Sequence, residues 1–292
     1  MLSPIHVSGK TFRDVNNNIF KYVGVSAFGL FKRWLAPNGP SALVAPILAE
    51  WRELANIGEY KGPIVLRVFR YAHPNNPFGV NPHSYPFSAI TAFTNFCGER
   101  GFYVDWTSGD SQYVLPDQSK QQLHLNETCA AIAGCSNAFL QTTNEDFKNG
   151  IDVSVVKPAQ WGTYPRSSGY YTEVGAWDHS KDLDFIDFHP DRSDDEGHTV
   201  PKWVGKLFES AVYLSPFPVP IVYEEPIGAD EVNIPGRRSN DPLLFRQAGL
   251  AVGVVAGMTF HSTAGLSSDG LGPVQKACAA NWFYGISRAL PI

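Results

Sequence analysis

The sequence is short of charge, of cysteine and of long apolar runs, and each shortage removes a class of protein. Only 17% of its 292 residues are charged, against about 25% in an average domain, and the balance is acidic at −5. A protein that grips a phosphate backbone needs a basic face, so nucleic acid is not an expected partner. No apolar run reaches the roughly 18–20 residues of a membrane span. The longest candidate, Gly249 to Phe260, is short and broken by glycines, so no membrane partner is expected. Met1-Leu2-Ser3-Pro4 carries neither the basic nor the apolar region of an export signal, which leaves the compartment open. The four cysteines, Cys97, Cys129, Cys135 and Cys278, form no C-x-x-C pair, against zinc and thioredoxin-type chemistry. Cys129 and Cys135 are spaced for a local bridge, with buried thiols the equal alternative. His73, His83 and His124 stand outside metal-ligand spacing. No metal and no cofactor is expected.

What remains is a ring-rich, loop-rich chain with 13% aromatics, 26 glycines and 22 prolines. Few charges and many rings are awkward for a disordered chain. The length suits one (β/α)8 barrel, typically about 250 residues, and a single barrel domain over 1–292 is expected. Short β-branched or aromatic runs alternate with amphipathic stretches, the pattern of parallel βα units. A small N-terminal hairpin is predicted over 5–20. Strands are predicted at Lys21–Phe28, Pro63–Phe69, Phe102–Trp106, Ala138–Thr143, Asp184–His189, Pro220–Glu224 and Gly257–His261. A fifth strand belongs between Asn149 and Lys181, where no run marks it. Ser41 is placed to cap the helix that carries Leu48, Trp51 and Leu54 on one face, and Gly58 to stop it.

Functional residues of such barrels stand at the C-terminal ends of the strands. Here those ends carry Arg67, Asp105-Trp106, Asn144-Glu145-Asp146, Asp187 with His189, Glu224-Glu225 and His261-Ser262. Polar residues at one end of six strands suit a site. Successive side chains of a strand point to opposite sides, so one of Glu224 and Glu225 is expected at the mouth. Each residue also has a plain structural reading: a cap neighbour for Glu145, a solvated strand end for Glu224-Glu225, an ion pair for Arg67.

Gly9-Lys10-Thr11-Phe12-Arg13-Asp14 with Ile19 to Val25, Leu66-Arg67-Val68-Phe69, Asn144-Glu145 and Pro220-Ile221-Val222-Tyr223-Glu224-Glu225-Pro226 occur in an order and spacing that resemble the retaining glycoside hydrolases of clan A, the cellulase, mannanase and β-galactosidase group. The resemblance spans about residues 5–265. It implies a carbohydrate substrate and two carboxyl groups about 5–5.5 Å apart. Glu145 would be the acid/base, its proton affinity raised by partial burial or a nearby anion. Glu225 would be the nucleophile, with Glu224 the alternate. Arg67 would keep the nucleophile ionised and Asn144 would bond a hydroxyl beside the anomeric carbon. Asp187, His189 and His261 would position the nucleophile or a sugar hydroxyl. Trp106 and Trp161, with Tyr164 and Trp177, offer flat faces that suit pyranose rings. A glycan-binding barrel without turnover is the alternative. Another barrel chemistry would need a strand-end lysine or an H-x-H pair, and neither is present.

Overall fold

The computed structural model describes residues 2–71, 79–82, 84–109, 114–145, 150–152, 156–157, 162–170, 173–190, 200–226, 228–233, 238–262 and 270–290. The chain opens with β1 (His6–Ser8), β2 (Thr11–Arg13) and β3 (Ile19–Phe20), an antiparallel sheet in the order β1-β2-β3. The predicted hairpin thus gains a third strand, because Ile19-Phe20 returns to pair with β2.

A parallel barrel follows. Its strands are β4 (Tyr22–Ser26), β5 (Ile64–Phe69), β6 (Phe102–Thr107), β7 (Ala138–Gln141), β8 (Arg166–Ser167), β9 (Gly169–Tyr170), β10 (Ile186–Phe188) and β11 (Ile221–Tyr223). After the short β12 (Gly228–Ala229) and β13 (Arg238–Ser239) comes β14 (Gly257–Ser262). The sheet runs β8-β7-β6-β5-β4-β14-β11-β10-β9. Its two ends, β8 and β9, are one strand interrupted at Ser168: β8 pairs with β7 and β9 with β10. That broken strand is the missing fifth, and with it the ring of eight closes. Gly228 and Ala229 of β12 pair with His261 and Ser262 at the end of β14.

The helices among the described residues are α1 (Leu30–Trp34), α2 (Ala45–Ile57), α3 (Ser88–Glu99), α4 (Gln118–Ile132), α5 (Glu173–Ser180), α6 (Val200–Leu214), α7 (Pro242–Leu250) and α8 (Pro273–Ala289). None is long and apolar enough to cross a membrane. Helix α2 buries Leu48, Trp51, Leu54 and Ala55 and ends at Gly58 as predicted. The cap differs: a π-helical turn, Pro40–Val44, feeds straight into α2, so Ser41 lies inside that turn. Helix α5 lies in the stretch where no helix is predicted.

Strand alternation sorts the core into two compartments. Val23, Val25, Leu66, Val68, Val104, Trp106, Leu140, Ile186, Phe188, Met258 and Phe260 point outward into the layer under the helices. Tyr22, Val65, Tyr103, Phe139, Phe185 and Val222 point inward and fill the N-terminal end of the barrel. The N-terminal sheet seals that end: Phe12 is 0% exposed. Its ring lies edge-on to Phe139 and Phe185 at 5.7 and 5.2 Å. The interior is therefore apolar at its N-terminal end, and any site is left to the other mouth. All four cysteines are buried and free, which settles the Cys129–Cys135 alternative in favour of thiols.

The plug makes a stability prediction. Phe12→Ala should lower the unfolding free energy by about 3–5 kcal/mol, read as a fall in the urea midpoint. Ile19→Ala in the same sheet, 59% exposed, should move it by no more than about 0.5 kcal/mol. Equal small effects would show that the sheet does not anchor the barrel.

Candidate active site

One residue further along each inward-facing register, the apolar filling gives way to polar groups. Val65 is succeeded by Arg67, Tyr103 by Asp105, Phe139 by Gln141, Phe185 by Asp187 and Val222 by Glu224. All five polar residues are fully buried. A buried cation needs anions and acceptors close by, and Arg67 has them from two other strands and their ends, β7 and β11. Its Nε is ion-paired with Glu224 Oε2. Nη1 donates to Glu225 Oε1 at 2.5 Å. Nη2 donates to Asn144 Oδ1 at 2.8 Å and Gln141 Oε1 at 3.0 Å. Phe28 and Phe69 present ring faces to the guanidinium at 5.0 and 5.2 Å. Burial alone would disfavour its charge, but Glu224, Glu225 and Asp187 hold it on more firmly than usual.

His189 extends the network. Nε2 lies 3.3 Å from Asp187 Oδ1, and Nδ1 faces Glu145 Oε1 at 3.9 Å. Burial opposes its charge, yet Asp187, Glu145 and Glu225 together push the imidazole up to about 10, so it is cationic at neutral pH. Asp187 in turn accepts from Gln141 Nε2 and, at 3.4 Å, from Ser167 Oγ. The ligand-type atoms of Asp187, His189 and Glu224 come within 4.8 Å of one another, a grouping that elsewhere can hold a metal. Here the guanidinium of Arg67 is the cation that Glu224 meets.

Glu145 and Glu225 share a conformation that L-residues rarely adopt. Their φ angles are +43° and +55°, in the left-handed region, where a side chain costs roughly 1–2 kcal/mol. Strain of this kind gathers at functional sites. Both side chains reach solvent, at 14% and 13% exposure, whereas Glu224 has none. Two accessible carboxyls at the ends of β7 and β11, flanking a buried arginine and a charged histidine, form a site suited to acid–base and nucleophilic work on a neutral ligand.

By sequence the chain matches no family model and no curated protein. Solved structures do match. A candidate glycoside hydrolase from Bacteroides vulgatus aligns with 99% of this chain at 12% identity and a TM-score of 0.68; the chain spans 62% of its length. A glycoside hydrolase family 5 mannosidase from Rhizomucor miehei aligns over 99% of this chain and 100% of its own, at 13% identity and 0.65. A β-mannanase from the blue mussel Mytilus edulis covers 97% of both chains at 12% identity and 0.59. This chain has the fold of those glycoside hydrolases.

Within that glycoside hydrolase fold, most of the expected residues converge. Arg67, Asn144, Glu145, Asp187, His189, Glu224 and Glu225 form one connected network. His261 lies at the same mouth on β14, beside β11, its Nδ1 3.0 Å from Ser26 Oγ and its ring 5.7 Å from Phe28. Glu225 reaches solvent at the mouth and Glu224 is buried below it, but simple strand alternation is not what separates them. Strand β11 stops at Tyr223, and the left-handed turn at Glu225 breaks the alternation, so both carboxyls meet Arg67 from different heights. Trp106 is corrected. It lies on the outward register, fully buried against Phe31 and Phe93, with Nε1 donating to Thr94 Oγ1 at 2.9 Å; it presents no face to a sugar. Tyr164 is buried, and Trp177 stacks on Phe217 in the loop that leads into β11 from the N-terminal end. Trp161 lies outside the described residues.

Sequence reasoning missed Tyr22, Gln141 and Gly169. Gln141 links Arg67, Thr107, Asp187 and Glu224. Its signal was a lone amide at the inward position of an apolar run. Gly169 leaves room for that amide and for His189: a Cβ there would lie 2.7 Å from Gln141 Nε2 and 2.9 Å from His189 Nε2.

The left-handed glutamate gives a test of strain separate from loss of contacts. Glu145→Gly and Glu145→Ala remove the same carboxyl. The glycine variant should be the more stable by about 1 kcal/mol, measured by denaturant unfolding. A more stable alanine variant would show that the left-handed backbone is not held against its preference.

Proposed function

We propose that the protein is a retaining β-glycosidase in which Glu225 is the nucleophile and Glu145 the acid/base. The observation that carries this reading is the pair of accessible, left-handed glutamates at the ends of β7 and β11, Glu225 held by Arg67 and Glu145 facing His189. Retention requires a carboxylate to attack the anomeric carbon and a second carboxyl to protonate the departing oxygen. Arg67 Nη1, 2.5 Å from Glu225 Oε1, favours the ionised nucleophile and orients it. Glu224 is too deep to touch a sugar: it is 0% exposed and engaged by Arg67 and Tyr22.

The reaction runs in two displacements. Glu225 forms an ester with the anomeric carbon as Glu145 gives its proton to the leaving oxygen. Glu145, now a carboxylate, takes a proton from water, and that water displaces Glu225. His189 faces Glu145 and fixes its direction. Asn144, held by Arg67 through its Oδ1, presents its amide to the hydroxyl beside the anomeric carbon, a bond that tightens as charge develops in the ring.

Structural neighbours are named as a mannosidase, a β-mannanase and a β-glucanase, so aryl β-mannosides and β-glucosides are the first probes. Glu145→Gln should slow substrates with poor leaving groups by about 10²–10⁴ and activated aryl glycosides far less. Equal losses on both would remove the acid role. Glu225→Ala should abolish turnover, and azide should restore part of it as a glycosyl azide of inverted configuration. Rescue of Glu224→Ala instead would reassign the nucleophile. Glycan binding with no turnover of any β-glycoside would return the chain to the glycan-binding alternative.

A further inference from the structure

Below the two accessible glutamates lies a chain of three groups that the double displacement does not use. Tyr22 Oη stands 2.8 Å from Asp105 Oδ2 and 2.8 Å from Glu224 Oε1, and all three side chains are fully buried. Both separations are hydrogen bonds. A phenol has a single proton to donate, and an ionised carboxylate has none. With both carboxyls ionised, one of the two contacts would set lone pair against lone pair. The proton that completes the chain must therefore belong to a carboxyl.

The surroundings say which one. Glu224 is ion-paired with Arg67 Nε; burial, with Asp187 and Asp105, raises its proton affinity as well, and Arg67 is the largest influence holding it ionised. Among the described residues Asp105 has no such ion pair. The groups that act on it are Tyr22 from β4, Arg67 from β5, Gln141 from β7 and Asp187 from β10, with Glu224 from β11 reached through Tyr22. Full ionisation would set three interior acids, Asp105, Asp187 and Glu224, against two cations, Arg67 and His189. The order that satisfies both contacts of the phenol is Asp105 donating to Tyr22, Tyr22 donating to Glu224, and Glu224 paired with Arg67.

We propose that Asp105 is a positioning residue that works as a neutral acid, and that the chain Asp105–Tyr22–Glu224 fixes Arg67 in the attitude in which it serves Glu225. The functional half of this proposal rests on the reading of Glu225 as nucleophile. The proton count does not. Burial, with the charge on Asp187 added, outweighs Tyr22 and Arg67 and pushes Asp105 up to about 7. Above that pH its ionisation leaves one proton between two anions. One contact opens, Glu224 is repelled, and the guanidinium it anchors leaves its place against Glu225 and Asn144.

Infrared difference spectra of the full chain, titrated with pH, read the proton without any substrate. A protonated buried carboxyl band should disappear with a midpoint near 7 and be absent from Asp105→Asn. Glu224→Gln removes the neighbouring anion and should move that midpoint down by about one unit or more. No such band in the unaltered protein, or a band kept by Asp105→Asn and lost in Glu224→Gln, overturns the assignment. Should Asp105→Asn not fold, the band's absence from the unaltered protein, or its unmoved midpoint in Glu224→Gln, would still do so. The positioning role is read on an aryl glycoside. Asp105→Asn, whose amide mimics the neutral acid, should raise the alkaline midpoint of kcat/KM by about one unit. Tyr22→Phe should lower kcat about tenfold or more with little change in KM. An alkaline limb unmoved in Asp105→Asn, with the band abolished, overturns the positioning role and leaves the glycosidase reading intact. No turnover by the unaltered protein, with the band behaving as expected, fails that reading and the positioning role with it, not the proton count.

Discussion

A guanidinium buried inside a barrel is the constraint on which the rest of this site depends. Arg67 cannot shed its charge, and taking a cation out of water costs several kcal/mol unless anions and acceptors meet it in good geometry. The fold meets that cost from several directions at once: Glu224 and Glu225 at the end of β11, Gln141 on β7 and Asn144 just past it. These partners are far apart in sequence. A single planar fork holds their strand ends at one mutual distance, which no local loop could do. Rigidity at the mouth thus follows from an electrostatic requirement one layer below it.

That layer can be polar because the layer beneath is not. Inward-facing positions two residues apart on the same strands switch from Val65, Tyr103, Phe139, Phe185 and Val222 to Arg67, Asp105, Gln141, Asp187 and Glu224. The N-terminal sheet, through Phe12, keeps water from the lower layer, so the charges above it can reach solvent only through the other mouth. Low dielectric strengthens every contact in the upper layer. It also forbids an unbalanced charge there, and a proton retained on one acid is the least costly way to balance three acids against two cations.

Much of this was legible in the sequence, and the exceptions have physical reasons. Seven strands announced themselves because both their faces are buried and β-branched or aromatic residues fill them. The strand-end acids, Arg67 and the histidines were legible because polar residues after apolar runs are rare without a purpose. Trp106 misled because an indole at a strand end suits a sugar as well as a helix; only its place on the outward register decides, and one residue of register reverses that. For Glu224-Glu225 alternation was carried past the last strand residue, where a left-handed turn had already replaced it, so the rule could not show that both carboxyls meet Arg67. Tyr22 carried no distinguishing sign, since a tyrosine within an apolar run reads equally well as filling, and Gln141 carried only the weak one of a lone amide in such a run.

The fifth strand was illegible for a reason that belongs to the site itself. Arg166-Ser167-Ser168-Gly169-Tyr170 has neither a β-branched run nor alternation, and it divides into two pieces of two residues each. On the inner side it faces Gln141, Asp187 and His189, the bulkiest part of the polar layer. Ser167 Oγ is small enough to sit 3.4 Å from Asp187 Oδ2. At Gly169 even one carbon would collide with Gln141 and His189. A strand with ordinary side chains would displace the groups that hold Arg67 and Glu145. The volume used by the network is thus taken from this strand, and with it goes the hydrophobic pattern by which strands are recognised. The weakest stretch of the sequence signal and the most crowded part of the site are two views of one packing problem.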